Sequence, residues 1–128
     1  MVNIIAGGRN DLPLTLRPGG TMMMGDMGAG DMRDGLIGEE LVEIGLINVW
    51  SQLWAREGLS RRSRSLVTLG ILIGLGAEDE FGSHVRIGMN NGLTEDEIAE
   101  VLYHASGYAG FPRAMAARKV ARRVLHED

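Results

Sequence analysis

Residues 78–98 decide the fold, and they read EDEFGSHVRIGMNNGLTEDEI. In the first half of this stretch, apolar side chains recur at three- and four-residue steps, which predicts an amphipathic helix ending at Asn91-Gly92. Thr94 and Glu97 then form a capping box, in which each side chain satisfies a backbone amide at the start of the following helix. The stretch therefore predicts two consecutive helices joined by a short turn.

The same helical spacing continues on both sides of this stretch, from Glu39 to the end of the chain. Gly58 is expected to end a first helix, and Ser60 is a suitable N-cap for the next one. Gly76 interrupts the pattern again, and Pro112 suits the first position of a last helix. Five helices of about ten to sixteen residues leave no room for a sheet. We therefore predict an all-α domain over residues 39–128.

Residues 1–38 have a different composition, with nine of the nineteen glycines and six of the eight methionines. Glycine runs do not sustain a helix, because each glycine loses backbone entropy without burying a side chain. We therefore predict an irregular Gly/Met-rich N-terminal arm over residues 1–38. Clustered methionines can bind a soft metal, but adaptable packing is the better interpretation here.

The composition also argues against several classes of protein. The chain has no cysteine, which excludes disulfides, thiolate metal sites and thiol chemistry. A formal net charge of −4 argues against a nucleic-acid partner. Arg118, Lys119, Arg122 and Arg123 form a local basic cluster, which is better explained as a solvated helix surface than as an anion or partner contact. No apolar run reaches the ~18 residues that a membrane span needs, and no signal peptide is visible, so we expect a cytoplasmic protein.

Glu80 and His84 are the first candidates for chemistry. They lie four residues apart on one predicted helix, so their side chains share a face. A carboxylate beside an imidazole orients the ring and favours its protonated form, which suits proton transfer near neutral pH. Such a pair on its own is more often structural than catalytic. Two ligands are also too few for a metal site, so we predict no metal.

Further candidates are less specific. His104 shares a helix with Tyr108 and could line a pocket, whereas His126 is expected to be solvated. Arg64 and Arg86 could hold a carboxylate through paired donors. The phosphate-binding, dinucleotide-binding, zinc-protease and serine-hydrolase motifs are all absent. Because the core is small and several helices are apolar on more than one face, we expect a homo-oligomer.

Several motifs become specific when they are taken together. They are Trp50-x-x-x-Trp54-x-Arg56-x-Gly58-Leu59, Arg64-Ser65-Leu66-x-Thr68-Leu69, Glu80-Phe81-x-x-His84-Val85-Arg86, Asn91-Gly92-Leu93-Thr94-x-x-Glu97-Ile98 and Tyr108-Ala109-Gly110-Phe111-Pro112. In order and spacing they resemble the carboxymuconolactone decarboxylase family, over roughly Glu39 to Glu127. Residues 1–38 do not resemble the usual N-terminal helix of that family.

The resemblance implies an all-α fold related to the alkylhydroperoxidase D-like proteins, assembled as trimers or hexamers. That sister branch carries Cys-x-x-Cys-x-x-x-His, and the equivalent positions here are Ala77, Glu80 and His84. The histidine is present but both thiols are missing, so thiol peroxidase chemistry is not available to this chain.

The resemblance also implies a cofactor-independent decarboxylation of a carboxylated lactone, giving an enol-lactone and CO2. In that interpretation His84 delivers a proton, Glu80 orients it, and Arg64 or Arg86 anchors a substrate carboxylate. The remaining pocket residues would be Trp50, Trp54, Tyr108 and His104. Two other functions stay open: an isomerase, hydrolase or cyclase of the same fold, which the unusual arm suggests, and a non-enzymatic helical assembly module.

Overall fold

The computed structural model describes residues 34–127. The predicted arm, residues 1–38, therefore lies outside the described residues except for its last five, and so does its methionine cluster. Those five residues form bends and turns that lead into the first helix. The Gly35 N–H donates a hydrogen bond of 2.8 Å to the Glu39 carboxylate, which ties this turn to the residue just before the helix.

The described chain divides into two compact units, one that ends at Leu59 and one that begins at Ser60. In the first unit, helix α1 (Glu40–Gly45) runs directly into a π-helix, π1 (Leu46–Trp54). The sequence predicted a single amphipathic helix through this region. The structure keeps the helical path but widens its second part to the i→i+5 hydrogen bonding of a π-helix.

The second unit contains four α-helices, namely α2 (Arg61–Leu75), α3 (Glu78–Asn90), α4 (Glu95–Tyr108) and α5 (Phe111–His126). No residue between 34 and 127 is assigned to a strand, so the all-α prediction is confirmed for the described chain. Among these same residues, every helix is too short or too polar to cross a membrane.

Local side-chain bonds set the helix boundaries that the sequence predicted. Ser60 Oγ accepts a hydrogen bond of 3.1 Å from the Ser63 N–H at the start of α2. At the start of α4, Thr94 Oγ1 accepts from the Glu97 N–H at 3.1 Å, and the Thr94 N–H donates to Glu97 Oε1 at 2.9 Å. Gly76 ends α2 in the left-handed conformation, with φ of 70°. The N-caps formed by Ser60 and Thr94 each stabilise their helix by about 1 kcal/mol.

The core of the second unit lies between its four helices. Its buried apolar residues are Leu69, Ile73, Phe81, Val85, Leu93, Ile98, Ala105, Ala117, Val120 and Ala121. Glycines let α3 approach its neighbours closely, because a Cβ built at Gly82 would lie 3.1 Å from Val120 Cγ1. A Cβ built at Gly88 would lie 2.9 Å from Leu93 Cδ1, closer than real side chains pack. Helix α3, which carries His84, is therefore held firmly in this core.

Candidate functional site

His84 lies on the buried face of α3. Its side chain is only 6% exposed, whereas the polar residues around it in sequence are mostly at the surface. Burial removes the ring from water and penalises the imidazolium, which lowers the pKa of His84 to about 4. At neutral pH this structure therefore favours a neutral imidazole. At neutral pH, a negative charge brought next to such a ring favours its protonated form.

Glu80 lies one helical turn before His84 but has an exposed side chain. Within the described chain, no hydrogen bond or ion pair joins these two side chains. From the spacing alone, the Glu80 carboxylate is predicted to favour the protonated ring. In the structure, desolvation is the larger effect on the pKa of His84, because an exposed carboxylate acts through water, where charge interactions are weak.

The two candidate arginines lie in different surroundings. Arg64 is partly buried on α2, which packs directly against α3. Arg86 follows His84 by two residues on α3 and is exposed, since residues two apart on a helix face different directions. Of the two, Arg64 is the better placed to hold an anion in a sheltered site.

A part-buried polar pair that the sequence did not predict lies next to Arg64 in the chain. Asn91 Nδ2 donates a hydrogen bond of 3.0 Å to Ser65 Oγ, and Ser65 is fully buried. This bond ties the start of α2 to the end of α3, and so fixes the helix of Arg64 against the helix of His84. Both residues belong to the motifs quoted above, but neither residue type indicates a partner 26 positions away in the chain.

Trp50 and Trp54 form a stacked aromatic pair in π1. Their side chains are 7% and 6% exposed, and their ring centroids lie 5.4 Å apart with an interplanar angle of 26°. Offset stacking of this kind is favourable beyond the area it buries. The two indoles are therefore packed against each other and largely removed from solvent.

His104 and Tyr108 lie together in an open groove between α2 and α4. Their ring centroids are 5.2 Å apart, and Tyr108 is 86% exposed. The groove has a volume of about 1130 Å³, and its lining includes four small residues, Gly70, Gly74, Ala105 and Ala109. His84 does not line this groove. The structure thus brings His104 and Tyr108 together, but not with the buried histidine of α3.

Four other charged or titratable side chains form two ion pairs at the surface. His126 Nε2 lies 2.6 Å from Glu95 Oε1, and Arg62 pairs with Glu97. All four side chains are about a third exposed or more, so these pairs add little to stability. The basic cluster of α5 is also mostly exposed. Residues 34–127 contain no group of three or more side chains suited to hold a metal ion.

Comparison with known proteins gives three relatives. The chain is 46% identical over 78 residues to a 4-carboxymuconolactone decarboxylase of Acinetobacter baylyi, and the aligned region covers 61% of this chain and 58% of the relative. It is 37% identical over 111 residues to a nitrosuccinic acid decarboxylase of Metarhizium robertsii, covering 75% and 78% of the two chains. It is 31% identical over 86 residues to an uncharacterized protein of Paracoccus denitrificans, covering 65% and 64%. The chain therefore spans less than two thirds of the first and third relatives.

The family comparison covers most of the region that the motifs span. The model of the carboxymuconolactone decarboxylase family matches residues 42–123, which include π1 and nearly all of the four helices of the second unit. Two of the three relatives carry decarboxylase names. Together, the match, the relatives and the all-α fold show that this chain belongs to the carboxymuconolactone decarboxylase family.

Proposed function

We propose that this chain is a cofactor-independent decarboxylase of a carboxylated lactone like 4-carboxymuconolactone, releasing CO2 and giving an enol-lactone. The observation that carries the proposal is the buried imidazole of His84, held on α3 in a sequence motif of a family whose named relatives are decarboxylases. Family membership supports decarboxylation, and the lactone is inferred from the relative with the higher identity.

The substrate itself can supply the electron sink. The departing carboxylate is attached to a carbon next to an alkene that is conjugated to the lactone carbonyl. When the C–C bond to the carboxylate breaks, CO2 leaves, and the electron pair moves through the alkene onto the carbonyl oxygen as a dienolate. One proton then adds to carbon. The protein must therefore bind an anion, stabilise the dienolate and deliver one proton.

His84 is the proposed source of that proton. In the free protein its burial favours the neutral ring, and the pKa is about 4. The carboxylates of a bound substrate would place negative charge beside the ring and raise this pKa, so that a proton is taken up from solvent as the substrate binds. Transfer of that proton to carbon returns the ring to its neutral form. One proton is thus consumed for each CO2 released.

The other proposed roles follow from burial. Arg64, partly buried on α2, would anchor a substrate carboxylate. Glu80 lies one turn before His84 and is exposed. Its carboxylate would help a proton reach the imidazole from solvent more than it would fix the orientation of the ring.

A second candidate substrate is a nitro dicarboxylate. The relative named nitrosuccinic acid decarboxylase matches 75% of this chain, against 61% for the lactone decarboxylase. A nitro group on the carbon that bears the departing carboxylate accepts the electron pair just as the conjugated carbonyl does. The same imidazole and arginine would then serve a different electron sink.

The test is a direct assay of the purified protein with both compounds. CO2 release and loss of substrate absorbance are followed for 4-carboxymuconolactone and for nitrosuccinate, in wild type and in His84→Gln. We expect turnover of the lactone and a loss of at least ~100-fold in His84→Gln, because general acid catalysis contributes at least that much. The matched control is Glu78→Gln, which removes an exposed carboxylate from the first turn of the same helix.

Each result has a defined consequence. Turnover of nitrosuccinate alone would transfer the proposal to the second substrate. Turnover of neither compound would refute both. Full activity in His84→Gln would refute the role of the histidine, even if the lactone is the substrate. Unchanged helical content by far-ultraviolet circular dichroism shows that any loss of activity is not a loss of fold.

A further inference from the structure

The outer face of α2 is apolar and carries no charge. From Ser65 to Ala77, a stretch that covers most of α2, the sequence contains no charged residue. Val67, Ile71 and Leu75 are more than half exposed and lie one above another, because residues four apart share a helix face. These three side chains form a row, the α2 ridge, that remains in contact with water in the described chain.

A second row on α2, made of glycines, runs beside the ridge. Gly70 and Gly74 follow Val67 and Ile71 by three residues each, so they adjoin the ridge, and both line the groove between α2 and α4. Nothing in the described chain lies within 4 Å of a Cβ built at either glycine. Glycine weakens the middle of a helix relative to alanine. Its use here fits a surface that approaches the helix backbone from outside the protomer.

The ridge and this glycine row, the α2 furrow, fit each other when two copies of α2 meet. A two-fold axis packs one surface patch of a protein against the same patch of a second copy. The ridge of each copy then lies in the furrow of the other, in the ridges-into-grooves packing common to helices. The groove beside the furrow, with its volume of about 1130 Å³, leaves room for the incoming side chains.

The charges at the two ends of α2 favour one direction of pairing. The helix begins with three arginines within residues 61–64 and has no acidic residue in its first turn. Beyond its other end, α3 begins with three acidic residues, 78–80. In an antiparallel pair, the basic start of each α2 points towards the acidic start of α3 in the other copy. In a parallel pair, the two basic starts would lie together and repel each other.

We propose that α2 pairs with the α2 of a second copy of this chain, antiparallel about a two-fold axis near Ile71, with the ridge of each copy packed into the furrow of the other. The pairing does not depend on the proposed reaction. A ring of three subunits has no two-fold axis, whereas a hexamer built from two such rings has. Of the two assemblies that the family resemblance implies, this contact therefore belongs to the hexamer.

The first test uses the absence of cysteine from the chain. In a single-cysteine variant a disulfide forms only between two copies, and it needs Cα atoms about 4.4–6.8 Å apart. With the axis near Ile71, position 71 of one copy lies beside position 71 of the other. Positions 67 and 75 each lie four residues from the axis. Two copies of either position are therefore about 12 Å apart along the helices, too far for a disulfide.

After mild oxidation, Ile71→Cys should give mainly a covalent dimer on a non-reducing gel. Val67→Cys and Leu75→Cys should each give at least fivefold less dimer. The double variant Val67→Cys/Leu75→Cys should form the dimer again, because position 67 of one copy faces position 75 of the other. Met115→Cys is the matched control, since Met115 is an exposed apolar residue of α5, and should give little dimer.

The second test changes only the furrow. Alanine at Gly70 and Gly74 should strengthen the helix of a single protomer, but it adds a methyl group where the ridge of the other copy packs. Gly70→Ala/Gly74→Ala should therefore raise the dissociation constant of the two-fold contact at least tenfold in sedimentation equilibrium. Gly107→Ala is the matched control, because its Cβ also meets open space but Gly107 does not line the groove. It should leave the dissociation constant unchanged.

Several results would overturn the proposal. Dimer from Val67→Cys and Leu75→Cys alone, as abundant as from Ile71→Cys, would show a parallel contact. No more dimer from Ile71→Cys than from Met115→Cys would place the contact on another surface. A monomeric wild type, or an assembly that Gly70→Ala/Gly74→Ala leaves intact, would leave the α2 ridge to a different partner.

Far-ultraviolet circular dichroism shows whether each variant is folded. If Ile71→Cys is not, the glycine variants decide the question, because each adds only a methyl group in open space. Neither test uses a substrate, so a protein that turns over no lactone would refute the proposed function and leave this pairing standing.

Discussion

At the scale of single residues, the burial of His84 links the stability of the protein to pH. In the folded state the pKa of His84 is about 4, below its ordinary value of 6.5, so the unfolded chain binds a proton first as the pH falls. This stabilising contribution is complete above pH 6.5 and is lost as the pH falls from there towards 4. Between pH 7 and pH 5 the loss from this one group is roughly 2 kcal/mol.

Replacing His84 by Gln, which does not titrate, should remove that part of the pH dependence. Urea unfolding of both proteins at pH 7 and pH 5, at one protein concentration, measures the difference. The wild type should lose roughly 2 kcal/mol more than His84→Gln over this interval. Equal losses in the two proteins would mean that the pKa of His84 in the folded state is close to its ordinary value.

At the scale of helices, α3 depends on the absence of a side chain at Gly88. An alanine there would place its Cβ 2.9 Å from Leu93 Cδ1, so the buried Leu93 side chain would have to shift. We expect Gly88→Ala to destabilise the protein by about 1–3 kcal/mol, the usual cost of overpacking. In α4, nothing lies within 4 Å of a Cβ built at Gly107, and Gly107→Ala should stabilise by about 0.5–1 kcal/mol through helix propensity.

Thermal unfolding of the two glycine variants beside the wild type tests this difference. The same chemical change should move the melting temperature in opposite directions. A destabilised Gly107→Ala would show that the outer face of α4 is covered in solution. An unaffected Gly88→Ala would show that Leu93 adjusts at little cost.

The elements also show what the sequence can predict. The boundaries of α2 and α4 were predictable because Ser60, Thr94 and Glu97 set them through bonds to nearby backbone groups. The hydrogen-bonding register of π1 was not predictable, because apolar side chains at three- and four-residue steps fit the wider turn of a π-helix as well as the turn of an α-helix. The presence of a serine at position 51 does not predict that its hydroxyl donates a hydrogen bond to the Leu46 carbonyl oxygen, since serine occurs in many helices for other reasons.

The candidate site was predictable in its residues but not in its environment. Glu80 and His84 share a helix face by spacing, yet one is exposed and the other is buried. The neighbouring helices decide this difference, and the pKa of His84 follows from them. The Ser65–Asn91 bond was likewise invisible, because it joins two helices across 26 residues.

At the scale of the whole molecule, large apolar side chains remain at the surface of the described chain. On α2, Val67, Ile71 and Leu75 are more than half exposed at four-residue spacing, and Val67 also lines the groove between α2 and α4. Burying each such side chain would contribute roughly 1.5–3 kcal/mol. Soluble monomers rarely leave a contiguous apolar strip of this kind uncovered, which supports the expectation of a homo-oligomer; the family resemblance implies a trimer or hexamer.

Sedimentation equilibrium at micromolar concentration tests that proposal. We expect the wild type to sediment as a trimer or hexamer and Ile71→Lys to sediment as a smaller species, because an interface cannot bury the new charge without a partner. Met115→Lys, which places the same charge on an exposed apolar position of α5, is the control and should keep the assembly. A monomeric wild type would refute the oligomer. An intact oligomer in Ile71→Lys would place its interface on another surface, such as the exposed apolar residues of α1.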